Sequence, residues 1–128
     1  MPLSVPTSPG EFLDKLTILE IKESRIGDPG KLASVRRELE LLRAAWAASP
    51  YARRDVAALV AGLRQVNETL WDVEDRLRAH EAEGRFDAEF VALARSVYRT
   101  NDRRAAIKRE LNDTLGSDLR EEKSHPAY

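Results

Sequence analysis

Apolar side chains recur at steps of three and four along most of this 128-residue chain. That is the period of a helix with one buried face, and not the alternation of a strand. Leu32, Val35, Leu39, Leu42 and Trp46 keep the rhythm in one stretch, and Val56, Leu59, Leu63, Val66, Leu70, Val73 and Leu77 keep it in a longer one. Phe90, Leu93, Val97, Leu111 and Leu115 mark a further stripe. Near the beginning, Phe12, Leu13, Leu16, Leu19 and Ile26 share a face while Ile18 and Ile21 lie off it, so this helix is expected to be covered on two sides.

Capping residues divide the pattern. Ser8-Pro9-Gly10-Glu11 reads as a capping box, with Ser8 as N-cap, Pro9 at the first helical position and Glu11 reaching back to the cap. Gly27 is placed to end that helix in a left-handed conformation, and Asp28-Pro29 to start the next after almost no loop. Ser49-Pro50 ends the second helix and caps a third. Gly84 closes the third, Asp87 caps a fourth with Phe86 and Val91 positioned as a hydrophobic staple, and Gly116 stops it. The predicted helices span about 9–26, 29–48, 50–83 and 88–115, with a C-terminal arm over about 117–128. The third, about 33 residues, would be roughly 50 Å long. The expected fold is all-α: one domain over the whole chain, an antiparallel bundle of four heptad-like helices in which a long helix 3/helix 4 hairpin carries the shorter helix 1/helix 2 pair.

The informative residues are polar ones that fall inside the apolar stripes. These are Glu20 and Glu23 on the first helix, Asn67, Glu74 and Arg78 on the third, and Asn101, Arg104, Lys108 and Asn112 on the fourth. An unpaired buried charge is prohibitive, so inward Glu20, Glu23 and Glu74 are expected to meet inward Arg78, Arg104 and Lys108, unless a ligand completes the set. Two readings follow. The groups form a closed network that sets helix register, or they line a polar inter-helix pocket suited to a carboxylate or phosphate.

Charge narrows the partners. Although 34% of residues are charged, the net charge is −1, so no overall field draws the chain to nucleic acid or anionic lipid. The basic stripe Arg95, Arg99 and Arg103 lacks interleaved aromatics and is expected to make cross-helix salt bridges, with no nucleic acid as partner. No run of roughly 18 apolar residues points to a membrane span, and no signal-like start is visible, so a cytoplasmic location is expected. Without cysteine, and with only His80 and His125, no thiolate chemistry or ordinary zinc site is expected. His80 continues the third helix's seam and reads as a packing residue. No phosphate loop or nucleophile motif appears, so no cofactor is expected. Glu68, Asp72 and Asp75, on one outward face, are an alternative magnesium set that resembles the acidic helices of the helical nucleotide pyrophosphatases, which implies a hydrolase.

Three stretches carry a wider resemblance: Glu11 to Lys22 (EFLDKLTILEIK), Asn67 to Asp75 (NETLWDVED), and Asn101 to Lys108 (NDRRAAIK) leading to Glu121-Glu122-Lys123-Ser124. Together they resemble a bacterial all-helical family, a domain of unknown function, which implies a helical fold and no particular activity. The polar-lined bundle also resembles the all-helical chorismate mutases in style. An enzyme of that kind would place Arg78, Arg104 and Lys108 around an anionic substrate, with Glu23 or Glu74 as acid or base. The leading expectation is a ligand-binding or protein-interaction accessory module, with a small anionic ligand in the polar pocket. Off-stripe Ile18, Ile21 and Leu41 point to a homodimer or protein partner, and Glu121-Glu122-Lys123 and Tyr128 are candidates for an interaction surface.

Overall fold

A computed structural model describes residues 1–119 and residue 122 of the chain. Among them are four helices and no strand: α1 (Pro9–Arg25), α2 (Pro29–Ala47), α3 (Ala57–Glu83) and α4 (Ala88–Leu115). No helix among the described residues is long and apolar enough to cross a membrane. Glu121, Lys123, Ser124, His125 and Tyr128, named above, lie outside the described residues.

Side-chain caps start three of the helices. The Ser8 hydroxyl accepts from Glu11 N–H at 3.1 Å, Asp28 Oδ2 from Lys31 N–H at 2.9 Å, and Asp87 Oδ1 from Phe90 N–H at 3.0 Å. Each satisfies a donor that the first turn leaves open. The Phe90 bond, ahead of the nearby positive charge of Arg85, holds the Asp87 carboxyl below its ordinary range. Gly84 and Gly116, at φ 64° and 68°, close α3 and α4 in the left-handed region.

Four local expectations need correction. Gly27 is not left-handed: α1 already ends at extended Ile26, because the Asp28 cap takes over at once. The Glu11 side chain leaves the capping box for Lys108. Phe86 and Val91 are exposed and make no buried staple; Phe86 meets Phe90 edge-on at 5.1 Å. Finally, α3 begins at Ala57 and not at residue 50. The Ser49 hydroxyl donates to Trp46 C=O at 2.7 Å and accepts from Tyr51 N–H at 3.2 Å, winding residues 48–56 into turns until Asp55 Oδ1 takes Ala57 N–H at 3.2 Å. At 27 residues, α3 is about 40 Å long.

The α3/α4 hairpin is the most extensive pairing, and α1 packs against both of its arms. Helix α2 packs against α1 alone. It buries only Leu39, and the ion pairs along that contact, exposed Lys15–Glu38 and the pair of exposed Arg36 with half-buried Glu23 among them, lie at the surface and contribute at most about 1 kcal/mol each. Trp46 ties its far end down, stacked between Phe12 and Tyr51 with ring centroids 5.8 Å away on either side. The core centres on Leu13, Val56, Leu63, Leu111 and Leu115. Leu63 and Leu111 are wholly buried, each stabilising the fold by roughly 2 kcal/mol through burial.

Candidate functional site

Helix α4 presents Arg104, Lys108 and Asn112 one above another, four residues apart, towards the first half of α1. Asn112 Oδ1 accepts the Gly10 N–H at 2.8 Å. The Lys108 ammonium lies 2.6 Å from Glu11 Oε2. Arg104 grips Asp14 with two donors, Nε to Oδ1 at 2.8 Å and Nη2 to Oδ2, the fork geometry in which guanidinium binds carboxylate most strongly. From α3, Asn67 completes the set, its Nδ2 donating to Asp14 Oδ1 at 2.9 Å and to Thr17 Oγ1 at 3.0 Å. The Thr17 hydroxyl in turn donates to Asp14 C=O at 2.8 Å.

This seam is interior. Asp14 is 1% exposed, Thr17 0% and Asn112 3%, so each of these polar groups depends on a protein partner to offset its lost hydration. Gly10 permits the approach: a Cβ there would stand 2.5 Å from Lys108 C=O and 2.8 Å from Asn112 Oδ1.

The inward cations are therefore paired, but with other acids than expected. Arg104 meets Asp14 and Lys108 meets Glu11, while Glu20 faces Arg43 and Arg64 at 3.3 and 4.0 Å and Glu23 faces Arg36 at 3.6 Å. The physical reason is that α1 is covered on two sides: its Glu20 and Glu23 edge turns to α2, leaving a different edge for α4. Glu74 and Arg78 are exposed on α3, and Asn101 is half-buried. Asp14, Thr17 and Gly10 went unrecognised, although a signal exists: stepping back from Ile21 by four, three and four reaches Thr17, Asp14 and Gly10, a second seam.

Beside this network, between α1 and α3, lies a groove of about 240 Å³. Its walls are Ile18, Ile21, Leu70 and Trp71, and its polar groups are Lys22, Asn67, Glu74 and Arg104. Three of the nine predicted site residues meet there. Arg25 lies over the Trp71 ring, 5.7 Å from its centroid, and is held by Asp72, which raises its already high pKa through that hydrogen bond first. A larger, mainly apolar depression of about 500 Å³ includes Leu16, Trp46 and Val60, with Glu20 and Arg64 among its polar groups.

Of the carboxylates considered as acid or base, Glu74 lines the groove and Glu23 is turned to Arg36. The magnesium alternative does not assemble: Glu68 pairs with Arg64 at 3.0 Å and Asp72 with Arg25, and with Asp75 they form no converging cluster among the described residues. Of the apolar residues read as a partner surface, Ile21 is 1% exposed and sits inside the fold, Ile18 lines the groove, and Leu41 remains exposed. Comparison with protein-family models, with curated proteins and with solved structures finds no match to this chain.

Proposed function

We propose that this chain is a ligand-binding accessory module, in which the groove between α1 and α3 holds a small anionic molecule and the buried ion pairs serve to position its floor. The observation that carries this reading is Arg104. Its guanidinium is locked in orientation by Asp14 and also borders the groove, where Lys22 supplies a second cation. Lys22 has no ion pair among the described residues. A carboxylate or phosphate would sit between these two, its apolar remainder against Leu70 and the edge of Trp71, a common division of labour in small-ligand sites. Such a module fits the bacterial helical family that the sequence resembles and a cytoplasmic role beside an enzyme that makes or uses the ligand.

The test is a thermal-shift and calorimetric panel of anionic carboxylates, phosphates and nucleotides on the wild type and on Lys22→Ala, a half-exposed position whose loss leaves the fold intact. The expected result is a ligand that stabilises the wild type and binds the variant roughly tenfold more weakly, about 1.4 kcal/mol for one charge-assisted contact. A panel without a stabilising member at millimolar concentration, or a ligand indifferent to Lys22→Ala, ends the proposal.

A further inference from the structure

The opposite end of the molecule, where α3 turns into α4, carries a histidine that the groove does not use. His80 lies in the last turn of α3 and is 3% exposed. Its Nδ1 is 2.9 Å from the carbonyl oxygen of Arg76. A carbonyl only accepts, so Nδ1 bears the hydrogen and the neutral ring keeps its lone pair on Nε2. That Nε2 is buried and has no hydrogen-bond partner among the described residues.

Nε2 stands close to two carboxylates from the other arm of the hairpin, Asp87 Oδ1 at 3.6 Å and Glu89 Oε2 at 3.7 Å. Both separations are too long for hydrogen bonds. They are close to the distance between neighbouring ligands on a tetrahedral ion with bonds of 2.0–2.1 Å, about 3.4 Å. The ligand atoms of all three residues lie within 4.8 Å of one another. A ring nitrogen fixed by a carbonyl on its other nitrogen is the usual arrangement of a metal-binding histidine. We infer that His80, Asp87 and Glu89 form a site for one divalent transition cation of the zinc class, which staples the end of α3 to the start of α4.

The neighbouring cations leave room for it. Arg76 takes the other oxygen of Glu89, Oε1, at 2.6 Å. Arg85 stands 3.8 Å from Asp87 Oδ2 and 3.9 Å from Glu89 Oε2 on a half-exposed side chain, so an arriving ion displaces it into water. Asp87 Oδ1 keeps its bond from Phe90 N–H and has a second lone pair for the metal. A nitrogen with two carboxylate oxygens suits zinc, cobalt or manganese; magnesium, which prefers an all-oxygen octahedron, suits it less. This inference is independent of the groove between α1 and α3.

The experiment titrates full-length, metal-stripped protein with zinc chloride by calorimetry, and with cobalt chloride by visible absorption, which reports ligand geometry. Magnesium chloride serves as the control. Expected are one zinc per chain, cobalt bands of low-coordinate type, and a melting point raised by on the order of 5–10 °C at a hundredfold excess over Kd. His80→Gln and Glu89→Gln each weaken zinc at least tenfold. Glu89 is a surface side chain, so its variant stays folded and is decisive if His80→Gln proves unstable. Absence of saturable zinc binding, or wild-type affinity in Glu89→Gln, overturns the site.

Discussion

Removing Arg104 probes the interior seam most directly. In Arg104→Met the methionine approximates the arginine stem, but Asp14, 1% exposed, loses both guanidinium donors and, among the described residues, retains only the amide of Asn67 for its carboxylate. Leaving one member of a buried ion pair uncompensated costs about 3–5 kcal/mol. For a chain of this size, at about 4 °C per kcal/mol, the melting point falls by roughly 12–20 °C. Asp14→Ala costs less, about 2–3 kcal/mol, because the Arg104 side chain is 28% exposed and its guanidinium turns towards water, and because Asn67 still has Thr17 as acceptor. The double variant Asp14→Ala/Arg104→Met buries no unpaired charge. It is expected to be about as stable as Arg104→Met alone and not worse by the further cost of Asp14→Ala, a coupling of roughly 2–3 kcal/mol in a double-mutant cycle. The cycle isolates this pair from every other contact either residue makes. Urea unfolding followed by circular dichroism supplies all four stabilities. Additive single costs, or an Arg104→Met loss below about 1 kcal/mol, would show that Asp14 is not held by Arg104 in a dry interior.

Two of the helical glycines, Gly10 and Gly62, separate a close approach from mere tolerance. Gly10→Ala is expected to destabilise by about 1–3 kcal/mol, since its Cβ would collide with the backbone carbonyl of Lys108; adding Asn112→Ala does not rescue it, because that carbonyl remains. Gly62→Ala, whose Cβ would meet Ile107 Cδ1 at an ordinary 3.6 Å, is expected to stabilise by about 0.5–1 kcal/mol, and urea midpoints of the two variants moving in the same direction would refute the distinction. Asn112→Ala alone strands the buried Gly10 N–H and is expected to cost about 1–3 kcal/mol by the same measurement, with a neutral effect counting against the α1/α4 contact described above.

Much of the helical framework is written locally, and where it is not, the reason lies in a particular competitor. Ser8, Asp28 and Asp87 cap as their spacing predicts, because each cap bond is made within three residues. The start of α3 was missed because the hydroxyl of Ser49 has two ways to satisfy backbone groups, and the turn through Tyr51 wins over a helical cap. Asn67, Arg104, Lys108 and Asn112 were legible as inward polar groups from their helical phase. Their partners were not: phase gives the direction of a side chain but not the rotation or height of the helix opposite. Asp14 escaped because, beside Leu13 and Lys15, it reads as a surface acid until the second seam of α1 is recognised.

The all-helical class, the order of four helices and the inward setting of Asn67, Arg104, Lys108 and Asn112 follow from the order of residues along the chain, since propensity, period and capping act over a few residues. The tertiary structure alone decided that α1 lies between α2 and the α3/α4 hairpin, that Asp14 rather than Glu20 or Glu23 receives Arg104, and that His80 faces Asp87 and Glu89 across a turn. Those outcomes depend on the relative rotation and height of packed helices, which are set by the fit of whole side-chain surfaces, such as the contact over Gly10, and by no short segment of the chain.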